Sequence, residues 1–242
     1  PDLEVDGQDA KATTNSDKAN ALNSFFSSVF TPVSAEDPPA IERFTDKILD
    51  SSMINEDMVK KKLDKLKVSK SPGPDNIHPK LLYEVRLNIL EPLTLLFKQS
   101  IDTGTLPQDW RDANISAIFK KGKRAKPNNY RPVSLTAIIC KLLESIIRDE
   151  IYNHLKTNEL FSDKQFGFLQ GRSTTLQLLL TLDKWTKILD EGGVIDVVYF
   201  DLMKAFDKVP HLKLQQKIEA YGTTGKASRW IKSFLSNRRQ RV

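Results

Sequence analysis

The sequence predicts an α+β protein in which helices outnumber strands. Apolar residues recur at helical spacing in several segments, most regularly over residues 136–155, where Thr136 can cap the helix, and over residues 174–191. Two other segments predict strands, because residues 115–119 alternate in polarity and residues 193–202 are β-branched or aromatic on both faces. The second pattern is typical of a strand in a covered sheet. We therefore expect residues 193–202 to form a buried strand.

Capping and turn residues delimit the other predicted helices. Asn55, followed by two acids, predicts a helix start, and the SPGPD turn of residues 71–75 ends that helix. An apolar helical run follows over residues 79–104, with proline at its first position, an interruption at a second proline and glycine at its end. Two short helices, residues 211–221 and 226–237, are separated by a GTTG turn.

Composition excludes several classes of protein. The chain has 242 residues, and its single cysteine rules out a disulfide framework and a cysteine-based zinc site. Its three histidines are widely separated, so we expect no histidine-clustered metal site. No apolar stretch reaches the roughly 18 residues of a membrane span, and the acidic N-terminus lacks the basic start of a signal peptide. We therefore expect a soluble protein of a reducing compartment, and the first residue, proline, indicates a fragment or a processed chain.

The net charge of +6 conceals a partition along the chain. Residues 1–57 carry twelve acids and four bases, whereas residues 58–242 carry 33 bases and 19 acids. A basic body of this size favours a polyanionic partner, most often nucleic acid, although a basic surface selected for solubility would look the same. Residues 1–50 are predicted to be a weakly ordered acidic lead-in, with one amphipathic helix over residues 18–30 and a proline-rich linker after it.

Asp201 is the first candidate for chemistry, because it lies at the end of the predicted strand of residues 193–202. A carboxylate held at a strand end suits a divalent metal ion with oxygen ligands, in particular Mg²⁺ shared with a substrate phosphate. The alternative is that Asp201 caps a short helix over residues 204–208. Spacing alone favours the cap.

Two loops are candidates for phosphate binding. Residues 120–131 carry six bases and no acid, with Lys120 as a point charge and Arg131 as a forked donor, but a solvated mobile loop has the same composition. In residues 165–174, Arg172 precedes a predicted helix start, where backbone N–H groups attract anions. This second segment lacks the GKS/T ending of a P-loop, and a turn with a helix cap explains it as well.

Four blocks of sequence stand in a characteristic order. They are SPGPDNIHPKLL (residues 71–82), IFKKG with NYRPVSL (118–135), QFGFLQGRST (165–174) and YFDLMKAFDKVPH (199–211). Together they resemble the reverse transcriptase of a non-LTR (LINE-type) retrotransposon, in the group of the jockey and chicken-repeat elements. Residues 18–31 also resemble the segment that precedes this polymerase. The resemblance implies the helix-rich fingers and a partial palm of a right-hand polymerase fold.

The resemblance implies a role for each candidate residue. Asp201 would be the first catalytic carboxylate of the palm and would bind both Mg²⁺ ions, with the backbone carbonyl of Leu202 as a further ligand. Phe206 would lie beneath the incoming sugar and exclude a 2′-hydroxyl. Lys120 and Arg131 would hold the triphosphate. Contacts with nucleic acid are expected from other bases of the two loops: Lys121, Lys123, Arg124 and Arg172.

The resemblance also divides the chain. Residues 1–50 would be the lead-in and linker, residues 51–192 the fingers, and residues 193–242 the first part of the palm. The family's aromatic-x-Asp-Asp hairpin and its PQG-type block do not occur in this sequence. We therefore expect a fragment truncated before the central palm hairpin and the thumb, and inactive by itself.

Two functions remain open at this stage. The first is part of an RNA-directed DNA polymerase that uses an RNA template, a DNA primer, deoxynucleoside triphosphates (dNTPs) and two Mg²⁺ ions, without a membrane partner, in the cytoplasm and nucleus. The second is a non-catalytic nucleic-acid-binding relic of a reverse transcriptase.

Overall fold

The computed structural model describes residues 2–5, 11–32, 40–49 and 54–242. In these ranges the chain forms eight α-helices and five short strands, which confirms the predicted α+β class. In chain order the elements are β1 (Leu3–Glu4), β2 (Lys11–Ala12), α1 (Asn15–Ser28), α2 (Glu56–Asp64), α3 (Pro79–Glu84), α4 (Arg86–Thr103), β3 (Asp112–Phe119), β4 (Tyr130–Leu135), α5 (Ile138–Thr157), α6 (Thr174–Asp190), α7 (His211–Ala220), α8 (Gly225–Leu235) and β5 (Arg239–Arg241). None of these helices is long and apolar enough to cross a membrane.

The sequence predicts the start of α2 and the end of α4 correctly, but α2 ends at Asp64, before the SPGPD turn at which the sequence predicts its end. The Asn55 side chain accepts a 3.0 Å hydrogen bond from the Met58 amide at the start of α2. α4 ends at Gly104, whose φ of +67° is a left-handed conformation that glycine adopts without strain. The predicted Thr136 cap is wrong, because α5 follows Ala137 with no side-chain cap and Thr136 is buried.

The helical run predicted over residues 79–104 is two helices instead of one. The break lies at Val85, between α3 and α4, and α4 continues through Pro92, where the sequence predicts the interruption. At the break, the Arg86 guanidinium donates a 2.7 Å hydrogen bond to the Tyr83 carbonyl and lies 4.1 Å from the Tyr83 ring centroid. Arg86 also pairs with Asp64 of α2, so contacts with the preceding helix accompany the change of direction.

The main core lies between α2, α4, α5 and α8. Its most buried large side chains include Val59 and Leu63 of α2, Phe97 of α4 and Leu143 of α5. Trp230 of α8 completes this core. Its indole N–H donates a 3.0 Å hydrogen bond to a buried serine hydroxyl of α4, which satisfies the polar end of this buried ring.

A three-stranded sheet has the order β4-β3-β5. β3 and β4 form an antiparallel hairpin, and β5 pairs with the other edge of β3 in parallel. The predicted strand of residues 115–119 is confirmed within β3. The sequence missed β4 and β5, since β4 contains a proline and β5 has only three residues, two of them charged.

The described residues of the N-terminal region that form β1, β2 and α1 pack against this sheet, so this part of the predicted lead-in is ordered. β1 and β2 pair antiparallel, and the Glu4 amide donates a 2.8 Å hydrogen bond to the Ala125 carbonyl beyond β3. Leu22 and Phe26 of α1 form a second core with Ile115 of β3. The predicted amphipathic helix is therefore confirmed as α1, and it covers one face of the sheet. Most of the predicted proline-rich linker falls on residues 33–39, which lie outside the described residues.

The predicted buried strand of residues 193–202 is wrong. These residues have no regular secondary structure, and Tyr199 and Phe200 are 86% and 91% exposed. A strand is stable only when its backbone groups pair with a neighbouring strand. None of the described strands pairs with this segment, so its pattern does not become a strand here. α6 also leaves its apolar side chains largely exposed.

The SPGPD turn packs tightly against the start of α5, which yields a stability prediction. A Cβ at Gly73 would lie 2.5 Å from the Thr136 carbonyl carbon and 2.6 Å from the Ala137 nitrogen. Because these are backbone atoms, the Gly73→Ala variant is expected to lose about 2 kcal/mol of unfolding free energy. Urea denaturation checks this loss.

The matched control for that variant is Gly167→Ala, since a Cβ at Gly167 meets nothing within 4 Å. It is expected to change the unfolding free energy by less than about 1 kcal/mol. Equal unfolding free energies for the two variants would contradict the tight packing at Gly73.

Candidate functional site

The β3–β4 hairpin presents two chemically different faces. Successive side chains of a strand point to opposite faces, and Ile118 pairs with Arg131 in the register of the hairpin. Ile115 and Ala117 face the core formed with α1, so Ile118 and Arg131 lie on the opposite face. Lys120 directly follows β3, and its amide continues the pairing with β4 by donating to the Asn129 carbonyl, so alternation assigns its side chain to the same face as Ile118. Lys120 and Arg131 are both exposed. Their charges therefore share an open face, which we call the open face of the sheet.

The loop that joins the two strands is held in shape by hydrogen bonds. The Lys120 amide donates to the Asn129 carbonyl at 2.8 Å, and the Asn129 side chain donates to the Lys123 carbonyl at 2.8 Å. Gly122 has a φ of +87°, and a Cβ there would lie 2.7 Å from the Asn129 side-chain nitrogen. These contacts give the basic loop a defined backbone, which a charge run by itself does not imply.

The bases of this loop keep their charges available for a ligand. Among the described residues, no ion pair within 4 Å involves any of the six bases between positions 120 and 131. Arg124 lies 4.9 Å from the Phe119 ring centroid, which orients its guanidinium without neutralising it. The arrangement offers several unpaired cations to a phosphate-bearing ligand.

A cleft of about 510 Å³ opens beside β5, next to the open face. Arg239 of β5 donates hydrogen bonds of 2.9 and 2.8 Å to the two carboxylate oxygens of Asp112, and Arg241 donates one of 2.6 Å to Asn114. The Arg239 hydrogen bonds lower the pKa of the Asp112 carboxyl, and the same pair raises the pKa of Arg239. These hydrogen bonds connect β5 to β3, and the charge of Arg239 is paired with the Asp112 carboxylate within the sheet.

Arg172 is engaged by its own loop. Its guanidinium donates to the carbonyls of Ser162, Asp163 and Gln165 at distances between 2.6 and 3.0 Å, and it pairs with the Asp163 carboxylate at 3.3 Å. Ser173 then caps α6 by accepting a 3.1 Å hydrogen bond from an amide in its first turn. The turn-and-cap interpretation is therefore confirmed, and a contact between Arg172 and nucleic acid stays a prediction.

Asp201 lies in an exposed segment without regular structure. Residues 203–208 form turns and no helix, so the structure does not show the helix that Asp201 was predicted to cap. Leu202 is 77% exposed and Phe206 is 81% exposed. The Asp201 carboxylate is therefore open to solvent and to ions, and its own segment does not bury it.

The turn that follows Asp201 contacts two other elements, and neither of them is the β3–β4 hairpin. Phe206 contacts Phe168 of the loop before α6, with ring centroids 6.0 Å apart in an edge-to-face arrangement. Lys204 contacts Phe25 of α1. Among the described residues, no hydrogen bond or ion pair joins residues 199–208 to Lys120 or Arg131. The candidate residues thus form two groups.

Sequence reasoning missed the residues that connect these groups to the rest of the protein. The helical spacing of Phe25 predicts only that it lies on the apolar side of a helix. Arg239 is one of several basic residues near the end of the sequence, and its position there indicates no partner. Local sequence carried no signal that either residue has a partner elsewhere in the chain. Only the packing of α1 and the pairing of β5 place them beside Lys204 and Asp112.

Comparison with known proteins identifies a family. The sequence profile described as "Reverse transcriptase (RNA-dependent DNA polymerase)" matches residues 118–242. This range begins in β3 and includes the basic loop, the loop before α6 and the Asp201 segment. It covers just over half of the chain.

Curated relatives from Drosophila melanogaster are similar over most of the chain. "Probable RNA-directed DNA polymerase from transposon BS" is 30% identical over 181 residues, which are 72% of this chain and 19% of the relative. "Probable RNA-directed DNA polymerase from transposon X-element" is 31% identical over 152 residues, 62% of this chain and 17% of the relative. "RNA-directed DNA polymerase from mobile element jockey" is 28% identical over 167 residues, 69% of this chain and 18% of the relative. The chain thus spans less than a fifth of each of these relatives.

The Asp112–Arg239 pair predicts a pH-dependent contribution to stability. Because the pKa of Asp112 is lower in the folded protein than its ordinary value of 3.8, the pair stabilises the fold above that value. This contribution is lost as the pH falls through the folded pKa. At pH 7 we expect Asp112→Asn to cost about 0.5–1 kcal/mol, as for a partly exposed, two-bonded ion pair.

The measurement is the difference in unfolding free energy between wild type and Asp112→Asn at several pH values. The difference should shrink as the pH falls towards 3. Asp183→Asn, which changes an exposed aspartate of α6, is the control and should show little difference throughout. A difference for Asp112→Asn that is constant with pH would disprove the assignment.

Proposed function

Because this chain belongs to the reverse transcriptase family, in its non-LTR (LINE-type) branch, we propose that it contributes to DNA synthesis on an RNA template. In this proposal it supplies a triphosphate-binding hairpin and the first catalytic carboxylate. The observation that carries the proposal is the open face of the sheet, where Lys120 and Arg131 are exposed on the same side. The substrates are a DNA primer and dNTPs. The primer 3′-hydroxyl loses its proton and attacks the α-phosphate, the bond from the α-phosphorus to the oxygen that bridges to the β-phosphate breaks, and pyrophosphate leaves.

The hairpin is suited to a triphosphate for electrostatic reasons. A planar guanidinium donates two parallel hydrogen bonds to phosphate oxygens, and an ammonium adds a compact charge beside it. Arg131 and Lys120 stand on adjacent strands of one hairpin, and the Lys120–Asn129 hydrogen bond holds the two strands together at the loop. We assign these two residues to the triphosphate, and Lys121, Lys123 and Arg124 to the nucleic-acid backbone.

The described residues provide only some of the donors that a two-metal site needs. The family depends on divalent metal ions, which we propose are two Mg²⁺ ions that polarise the reacting oxygens when bound. The donors here are the Asp201 carboxylate and the Leu202 carbonyl. The described residues contain no group of three or more histidine, cysteine or acidic side chains that could hold a metal. These donors do not fit a two-metal site by themselves, so we derive no step from the ions.

Phe206 is proposed to select the sugar. It follows Asp201 by five positions, and its largely exposed ring meets the Phe168 ring edge-to-face with centroids 6.0 Å apart. A rigid ring beneath the sugar would leave no room for a 2′-hydroxyl, which favours deoxynucleotides by steric exclusion. Phe168 would support this ring from the loop before α6, and Arg172 would hold that loop in shape.

We propose that residues 51–192 belong to the fingers and residues 193–242 to the first part of the palm. The exposed apolar side chains of α6 and of residues 194–202 support this assignment, because such surfaces are normally covered. The curated relatives are more than five times longer than the matched region. In the proposal, a continuation of that kind supplies both the covering strands and the remaining carboxylates, and the enzyme acts inside the cell.

A second candidate function is a non-catalytic nucleic-acid-binding protein derived from a reverse transcriptase. It is favoured because the described part of the chain holds no group of three or more metal-binding side chains around Asp201, while the hairpin bases serve both functions equally well. Binding of a template–primer duplex would then fall steeply with salt concentration, with no dNTP incorporation.

The first functional prediction concerns Asp201. In a polymerase that contains this chain and continues into an Asp-Asp hairpin, Asp201→Ala should lower the rate of primer extension by about a thousandfold or more. The reason is that loss of a metal ligand removes several kcal/mol of transition-state stabilisation. Single-nucleotide extension of a labelled primer on an RNA template measures the rate.

Asp196→Ala is the matched control, because Asp196 is an exposed aspartate of the same segment. It should retain the wild-type rate. Equal extension by wild type and Asp201→Ala would refute the role of Asp201. Salt-sensitive duplex binding by a wild-type protein that incorporates no dNTP would support the second function.

The next prediction concerns the hairpin. Lys120→Ala and Arg131→Ala should each raise the KM for dNTP about tenfold in the same polymerase, since each removes a charge-assisted hydrogen bond to the triphosphate. Lys98→Ala, which removes an exposed lysine of α4, is the control and should leave KM unchanged. If both hairpin variants behave like this control, they do not bind the triphosphate.

A further inference from the structure

The turn that follows Asp201 is attached to the N-terminal region. The Lys204 ammonium lies 4.1 Å from the centroid of the Phe25 ring, on α1. Beyond α1, the Thr31 hydroxyl donates a 2.8 Å hydrogen bond to the Lys208 carbonyl. Two residues near the end of α1 therefore contact the two ends of the turn formed by residues 203–208. Chain segments that are far apart in the sequence meet at this point.

Lys204 has a strained backbone at the centre of this attachment. Its φ is +53°, in the left-handed region, which is unfavourable for a residue with a side chain. Its side chain is half-buried, whereas the neighbouring Met203 and Ala205 are exposed. A left-handed backbone conformation at a lysine persists only where surrounding contacts stabilise it.

The turn of residues 203–208 also contacts the loop before α6. The Phe206 ring packs edge-to-face on Phe168 with centroids 6.0 Å apart. Within the turn, the Lys208 amide donates a 3.1 Å hydrogen bond to the Lys204 carbonyl. Residues 203–208 therefore contact both α1 and the loop before α6, and Lys204 makes the contact with α1.

We infer that Lys204 is a positioning residue: through Phe25 it fixes the turn so that Phe206 keeps a constant place relative to Asp201. The inference rests on the proposed function, because it gives the turn a role in selecting the sugar. It assigns a role to α1 as well, since the helix that covers one face of the sheet also supports the segment that carries Asp201. The attraction between an ammonium and an aromatic face supplies the contact.

The contact itself is tested in this chain by hydrogen exchange of the Lys208 amide, corrected for intrinsic rates. Lys204→Met and Phe25→Leu should each speed exchange about threefold to tenfold. The double variant should be no faster than the faster single variant, because both changes remove the same contact. Lys204→Arg and Phe25→Tyr keep a cation and a ring, and should restore the slow rate. Wild-type exchange in Lys204→Met, or additive effects in the double variant, would overturn the inference.

The consequence is tested in the longer polymerase by comparing incorporation of ribonucleotides and deoxynucleotides. Lys204→Met should reduce discrimination about threefold to tenfold and raise the KM for dNTP with little change in kcat, and Lys204→Arg should reverse both effects. Lys208→Met, in the same turn, is the control and should match wild type. If the wild-type polymerase is active and Lys204→Met discriminates against ribonucleotides as well as Lys208→Met does, the role of Lys204 is refuted while the proposed function stands. If the wild-type polymerase is inactive, or if Asp201→Ala is as active as wild type, the proposed function is refuted. The hydrogen-exchange experiment then decides by itself whether Lys204 stabilises the turn.

Discussion

The pairing of β3 on both of its edges is the constraint on which the arrangement of the site depends. Because β4 and β5 take opposite edges, β3 is the central strand, and its alternation decides the two faces of the whole sheet. α1 covers the face that carries Ile115, so the apolar side chains there are buried. The other face remains open and carries Lys120 and Arg131. Covering one face is therefore what directs these charges to solvent.

The helical core gives this sheet a fixed support. β4 is followed after two residues by α5, whose apolar side packs in the main core, and the SPGPD turn closes on the backbone of Thr136 and Ala137. α8 packs in the same core and leads into β5. Both outer strands are thus connected to helices of one core, and the Arg239–Asp112 pair joins β5 to β3. The open face is therefore positioned by contacts with the same helical core.

Local sequence predicted the features that depend on neighbours in the chain. The Asn55 cap, the glycine end of α4 and the strand within β3 need only a side chain and the backbone beside it. The failures share one cause. Residues 193–202 have the composition of a strand, but a strand exists only with a partner, and none of the described strands provides one. Short β5 became a strand for the opposite reason, because the edge of β3 was available to pair with it.

The amino-acid sequence by itself determined the family, the helix-rich class and the identity of the candidate residues, since four ordered blocks and a run of bases are properties of the chain. Tertiary structure alone decided which face carries Lys120 and Arg131, that Arg172 is engaged by its own loop, and that Lys204 meets Phe25. The physical reason is that side-chain availability depends on burial and pairing. These are set by contacts between segments distant in sequence, and residue order does not record such contacts.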